Sequence, residues 1–389
     1  MKVIAQLIKR NTASDSETSL KILYLSTENN AGTLEIWQRA HRELGNEARY
    51  VTLFPNESQF PEDIALDLPF TPNAKWLQWI KRIAYRTHGP SGMYEEPEGN
   101  PPFWAPQNIF EKWFFQLRDA IWSPFLRKAL GKHRLTDFDI YHLEGGIGFF
   151  RDARVIQGLH NVGKHVVCSY HGTDFRLRGV IPQVDEVADV NITSELDLLE
   201  KHPELEYVFL PFETTKFEGK TELNHPIRLC HATRNRYFKG SSRIIEVCER
   251  IVSERDDAEF VLIENRPHDE TIRMKASSDV YIDQISNTGG WGYGMNSVES
   301  LSMGLCCCTN LIAEYEEFLP DHPFVNVSDD TLYEDLNNLL KQPENILERA
   351  QYGKRWVEQY HDINNVIKSV YRIYLREGWI DALPWEEAP

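Results

Sequence analysis

The sequence predicts an α/β protein made of two doubly wound domains, and three observations point to it. Short apolar runs of strand length alternate with amphipathic helical stretches along most of the 389 residues. The run Leu305 to Thr309 is apolar without alternation, as in a strand covered on both faces. Glycine-bearing loops follow several of these runs, and doubly wound sheets gather ligands at the carboxyl ends of their strands.

The length suffices for two domains with separate cores. Hydrophobic residues at 41% and charged residues at 26% place the chain among globular proteins. A net charge of −17 excludes a general nucleic-acid binder, because the phosphate backbone would repel it. Six cysteines, three of them contiguous at Cys306, Cys307 and Cys308, have neither a disulfide framework nor paired metal-ligand spacing. They read as reduced core residues, which implies a cytosolic compartment. The apolar run beside Lys2, Lys9 and Arg10 is too short and broken for a signal peptide, and polar, turn-prone residues 11–19 make residues 1–19 read as a loosely attached leader. No window reaches the eighteen apolar residues of a membrane span.

Lys21 to Leu25 (KILYL) is the first strand. A loop with Gly32 follows, then a helix carrying Leu34, Trp37, His41 and Leu44 on one face and ending at Gly45. Arg49 to Phe54 is the second strand. Residues 55–135 break the rhythm with many prolines and two aromatic-basic stretches, Lys75 to Arg86 and Phe103 to Arg134. Ten Lys/Arg against five Asp/Glu between Lys75 and Arg134 make this insertion +5 and leave −22 elsewhere. It reads either as helices packing Trp and Phe against the sheet, or as a surface for peripheral contact with an anionic membrane or a lipid-linked acceptor. Strands are expected again at Asp139 onward (DIYHLE, before Gly145, Gly146 and Gly148), Lys164 to Tyr170, Val187 to Thr193 and Tyr207 to Pro211, with a helix at Arg154 to Asn161.

The second domain opens with the strand Pro226 to His231. Its loop carries Arg234 and Arg236, and Lys239-Gly240 starts a helix with Ile244, Val247, Cys248 and Ile251 on one face. Phe260 to Glu264 and Asp279 to Gln284 are strands, and helices follow at Asp330 to Leu340, Glu344 to Tyr360 and Asn364 to Trp379. The domains are expected at 1–213 and 214–367, with 368–389 a helix and tail crossing back to the first.

Four places bear on chemistry. Gly289, Gly290, Gly292 and Gly294 lead into a helix at Asn296 to Met303 that Gly304 ends, and a glycine loop at a helix N-terminus is a ready anion site. Glu299 in that helix's first turn can reach sugar hydroxyls beside a phosphate. Arg234 and Lys239, beside a helix start at a strand end, can clamp a diphosphate. His171, ending a buried strand just before the Gly172-Thr173-Asp174 turn, points into a crevice. Asp137-Phe138-Asp139 has a metal-binding spacing but precedes its strand, so it reads as a solvated loop and no metal site is expected.

The HGTDF turn at His171, Arg234 with Lys239-Gly240, the WGYG loop at Trp291, and Glu299 with SLSMG after it together resemble the family 4 glycosyltransferases over residues 21 to about 375. The resemblance implies the GT-B fold, with two Rossmann-like domains facing each other across a cleft. It implies retaining, metal-independent transfer from a nucleotide sugar to a glycan or lipid-linked acceptor, with no cofactor. Arg234 and Lys239 would stabilise the leaving diphosphate. Gly290, Trp291, Gly292, Tyr293, Gly294, Met295 and Asn296 would hold the phosphates and donor sugar, with Gly32 and Asp174 contributing from the first domain. Glu299 would bind the ribose and His171 would face the sugar and acceptor. One departure is Trp291, where the family has glutamate; the donor sugar would then be oriented by backbone groups or Gln284. A catalytically silent binding protein of the same fold is the alternative. A nicotinamide oxidoreductase is disfavoured, since no Gly-x-Gly-x-x-Gly follows the first strand.

Overall fold

The computed structural model describes residues 19–29, 32–56, 60–71, 98–106, 108–319 and 321–386. The expected leader lies outside them but for Ser19, and the stretch Lys75 to Arg86 lies outside them entirely. The chain forms two compact units, residues 1–208 with 370–389, and residues 209–369.

The first unit is built on a seven-stranded sheet of β1 (Lys21–Ser26), β2 (Glu47–Thr52), β3 (Ile64–Ala65), β4 (Ile140–Glu144), β5 (His165–Tyr170), β6 (Val190–Thr193) and β7 (Leu205–Tyr207), in the order β3-β2-β1-β4-β5-β6-β7. Every pairing is parallel. The central strands are buried on both faces, which is why Ile22–Leu25 run apolar without alternation and Tyr141–Leu143, His142 included, are closed to solvent. Helix Thr33–Glu43 buries Leu34, Trp37 and His41 as its spacing predicts, while Leu44, expected on the same face, is its half-buried C-cap residue. The strand order reverses between β1 and β4, so loops after these strands diverge and leave a crevice.

Two sequence expectations shift here. The strand expected at Tyr207 to Pro211 comes earlier, at Leu205–Tyr207. The expected turn after His171 is a short helix, Gly172–Arg178, with His171 as its N-cap residue, because the run TDFRLR continues into one helical turn after another.

Helix Ile363–Arg376 ends in the first unit. Tyr371 Oη meets His41 Nδ1 at 3.0 Å, and His41 Nε2 meets Tyr24 Oη at 2.9 Å. Tyr374 Oη lies 2.5 Å from His142 Nε2, and Trp379 stacks on His165 at 4.5 Å between ring centroids. Each buried ring polar atom named here therefore has a partner, as burial requires.

The second unit has a five-stranded parallel sheet of β8 (Ile227–Thr233), β9 (Ala258–Glu264), β10 (Val280–Ile282), β11 (Cys306–Thr309) and β12 (Val325–Asn326), in the order β12-β11-β10-β8-β9. Strand β12 is too short to announce itself in the sequence. The chain runs from β8 outward to β9, then crosses back to β10 on the other side of β8, so the switch point lies between β8 and β10. Helix Ser241–Glu254 covers the sheet with Ile244, Val247, Cys248 and Ile251. All six cysteines are buried and free.

Candidate functional site

The carboxyl ends of β8 and β10 are where the second unit assembles its charged groups. After β8, Thr233 leads into exposed Arg234, and a single helical turn, Arg236–Lys239, precedes Gly240. Lys239 was expected at the head of the long helix; it instead closes this separate turn, because Gly240 takes a left-handed φ of 68° that interrupts the helix. Arg236 is committed to Glu264 at the end of β9, with contacts of 2.7 and 2.5 Å.

After β10, the first residue is Asp283, 2% exposed. Its Oδ1 accepts from Lys239 Nζ and lies 3.1 Å from Tyr281 Oη, and its Oδ2 accepts from Ser297 Oγ at 2.5 Å. Burial pushes this carboxyl up, but Lys239, Ser297 and the more distant Lys275 outweigh it and hold Asp283 below its ordinary value. It is therefore a carboxylate, and it neutralises the lysine that the sequence singles out. The Ile285 amide bonds the Lys239 carbonyl at 3.2 Å, so the two strand-end loops are joined by backbone as well as by charge. His231 ties the same corner together. Its Nδ1 donates to the Ile282 carbonyl at 2.7 Å and its Nε2 accepts from Ser241 Oγ at 2.7 Å, a neutral ring that burial lowers to about 4.

The glycine loop follows. Gln284 Nε2 donates to the Gly290 carbonyl and Thr309 Oγ1 to the Gly292 carbonyl, at 2.9 and 2.8 Å. Gly292 has φ 71°, and a β-carbon there would stand 2.6 Å from the Tyr315 ring, so only glycine fits. Trp291 is half-buried, as are Gly294, Met295 and Asn296. Helix Met295–Ser302 begins at this loop, and its first amides have no acceptor within the helix. Helix Ser241–Glu254 begins beside it after Gly240. Two helix N-termini, Lys239 and a glycine loop thus gather at one switch point, an arrangement suited to a phosphate-bearing ligand. Among the described residues no three His, Cys, Asp or Glu converge as metal ligands.

Tyr293 departs from its expected role. It is 7% exposed and packs 4.7 Å from Phe324 and 5.9 Å from Trp356, and its hydroxyl donates to His361 Nε2 at 2.9 Å. It anchors the loop in the core rather than facing a ligand, its ring held among Phe324, Trp356 and His361. Glu299 has a partner that the sequence does not announce. Lys275, wholly buried, donates to Glu299 Oε2 at 2.7 Å and to the Asn296 carbonyl at 2.9 Å. The Glu299 side chain remains 10% exposed.

In the first unit, His171 at the end of β5 meets Glu144 at the end of neighbouring β4, Nε2 to Oε2 at 2.6 Å. Desolvation opposes its charge, but the hydrogen bond and charge of Glu144, with Asp174 and Glu195 beyond, raise His171 to about 9. Asp174 sits against Gly145, where a β-carbon would come within 2.7 Å of its Oδ2. Gly32 precedes helix Thr33–Glu43 with φ 70°.

Sequence reasoning missed Asp283, Lys275 and Glu144. Asp283 and Glu144 could have been found by the logic that singled out His171, a polar residue ending an apolar strand. Lys275 could not, since RMKAS reads as an ordinary exposed helix end.

No family model matches the sequence, and no curated protein sequence matches it either. Solved structures do. HepE from Anabaena, in complex with UDP and glucose, is 10% identical with a TM-score of 0.53 over 92% of this chain and 100% of that one. Sucrose-phosphate synthase from Thermosynechococcus elongatus is 12% identical, with a TM-score of 0.57 over 93% and 100%. A UDP-N-acetylglucosamine 2-epimerase is 12% identical, with a TM-score of 0.50 over 96% and 100%. At these identities the likeness is one of fold, the GT-B fold with its two parallel α/β units.

Proposed function

We propose that this chain is a nucleotide-sugar-dependent glycosyltransferase of the family 4 type, retaining and metal-independent, acting on a glycan or lipid-linked acceptor. The observation that carries the reading is Lys239 at the β8/β10 switch point, beside two helix N-termini and a glycine loop. Solved structures of this fold include one that holds UDP and glucose, which supports a nucleoside diphosphate as the ligand class.

In this reading Lys239 exchanges Asp283 for the diphosphate, and Arg234 supplies the second cation. Asp283 keeps its bond to Ser297 when the lysine turns away. Charge growing on the departing diphosphate strengthens both contacts in the transition state, which makes them catalytic. Glu299, oriented by its 2.7 Å bond from Lys275, binds the ribose. Met295 and Asn296 offer first-turn amides to the phosphates. Backbone groups of the loop at Gly290 and Gly292, with Trp291, take the donor sugar. His171, with Gly32 and Asp174 on its own unit, is assigned the sugar and acceptor end of the reaction. No cofactor is required, since two cations and two helix ends supply the positive charge that a metal would.

Lys239→Ala should lower kcat/KM roughly ten- to a hundred-fold, since a charge-assisted hydrogen bond is worth about 1.5–3 kcal/mol and about 1.4 kcal/mol is one decade. Adding Arg234→Ala should cost more than either change alone. EDTA should leave the wild-type rate untouched; loss restored by manganese would defeat the metal-independent reading. The pairing of Lys239 with Asp283 also suits a silent nucleotide-binding protein. Unchanged nucleotide affinity and turnover in folded Lys239→Ala would move that reading ahead.

A further inference from the structure

Helix Ile109–Lys132 is apolar on more than one face. Its inner face is seated by Trp122, Leu126 and Leu130, all buried, with Trp122 Nε1 donating to the Pro69 carbonyl at 2.8 Å. Arg118 lies 4.1 Å from the Trp122 ring centroid and pairs with Asp119, which fixes the rotation of the helix. The outer face is left to solvent: Phe110 is 82% exposed, Trp113 68%, Leu117 61% and Phe125 52%. Positions 110, 113 and 117 share one side of a helix, so three of these side chains form a ridge. Large apolar side chains at such exposure, contiguous along a fixed helix, mark an interaction surface.

The charges beside the ridge say what it meets. Arg127, Lys128 and Lys132 are exposed, and none has an ion-pair partner among the described residues. The helix's two acidic residues are Glu111 and Asp119, and Asp119 is buried against Arg118. In a chain of net charge −17, this is a local cationic rim around a protruding apolar ridge. A single convex helix offers no groove for a peptide, whereas aromatic and leucine side chains flanked by Lys and Arg suit the boundary between headgroups and acyl chains.

We infer that the outer face of helix Ile109–Lys132 docks on an anionic lipid bilayer, with Phe110, Trp113 and Leu117 entering the headgroup layer and Arg127, Lys128 and Lys132 meeting lipid phosphates. No described helix is long and apolar enough to cross a membrane, so the contact is peripheral. It rests on this helix alone and stands apart from the donor site.

The test is co-sedimentation of the full chain with phosphatidylcholine vesicles and with vesicles containing phosphatidylglycerol. The wild type should bind the anionic vesicles at least about tenfold more tightly, because each cation near such a surface contributes on the order of 1 kcal/mol. Phe110→Ser/Trp113→Ser/Leu117→Ser should abolish binding to both vesicles without lowering Tm, the positions being exposed. Arg127→Gln/Lys128→Gln/Lys132→Gln should remove only the anionic preference, about ten- to a hundred-fold. Absence of sedimentation with either vesicle overturns the inference. So does vesicle binding indifferent to both triple variants. A lipid-free dimer that Trp113→Ser dissociates assigns the face to a second copy and overturns it as well. None of these readouts involves sugar transfer, so the donor-site reading can fail while this one holds, and the reverse.

Discussion

At the residue scale, His171 carries its proton at neutral pH. Glu144 holds the ring through Nε2, and a histidine raised to about 9 donates hydrogen bonds but accepts no proton below that pH. Around neutral pH it can therefore donate hydrogen bonds but not act as a general base. Because the folded value lies above the ordinary 6.5, the pair's contribution is complete below pH 6.5 and disappears as pH rises through about 9. The side chain is 44% exposed, so the contribution after screening is about 1 kcal/mol. His171→Gln should be less stable than the wild type in urea below pH 6.5 and equal to it above pH 9. A stability gap independent of pH would remove the charge from this account. The sequence made His171 legible because a histidine ending an apolar strand has few reasons to be there. Glu144 ends apolar β4 in the same way, and what the sequence does not carry is that the two strand ends lie side by side.

At the element scale, the strands were the most legible part, because burial on both faces makes them apolar without alternation. The four-residue turn Arg236–Lys239 and two-residue β12 were not, being shorter than any periodic signal. The helix Ile109–Lys132 exposed a deeper limit. Periodicity finds a helix by contrast between its faces, and here apolar side chains lie on both the core side and the outer side. The C-terminal helix offers a test of a different kind. His142 beneath Tyr374 is lowered to about 4 by burial, and His41 beneath Tyr371 is lowered well below its ordinary value. Their folded values are depressed, so the stabilisation present above pH 6.5 drains away as pH falls, for His142 by about 1.4 kcal/mol per pH unit down to about 4, with His41 adding in the same direction. Unfolding followed by tryptophan fluorescence should show this loss, and His142→Phe with Tyr374→Phe should flatten part of it. An unaltered acid profile in that variant would mean that other groups govern it.

At the scale of the whole molecule, two doubly wound units were readable from the alternation of strands and helices, and the switch points followed from strand order. What could not be read is which charges meet. Lys239 and Asp283 are 44 residues apart and meet only because β8 pairs with β10, while Lys275 and Glu299, 24 apart, meet because the helices before and after β10 lie together. The donor-site residues proposed here for phosphate binding belong to the second unit, 209–369. A nucleoside diphosphate at a hundred times its Kd should stabilise the state that binds it by about 2.7 kcal/mol. In thermal unfolding, Tm for the second unit should rise by roughly 5–10 °C, and Lys239→Ala should shrink that rise. No shift with UDP, GDP, ADP or CMP would count against a nucleotide site.

The return of the chain at Val370 has a consequence for biosynthesis. The seven strands of the first sheet are complete by residue 207, yet Tyr371, Tyr374 and Trp379 are made about 160 residues later. At roughly 5–20 residues per second on the ribosome, that gap lasts on the order of ten to thirty seconds. For that time a nascent first unit presents His41, His142 and His165 without their tyrosine and tryptophan partners, an unfinished apolar seat of the kind that holdase chaperones bind. Its last folding step waits on translation, after every one of its own strands has already been synthesised.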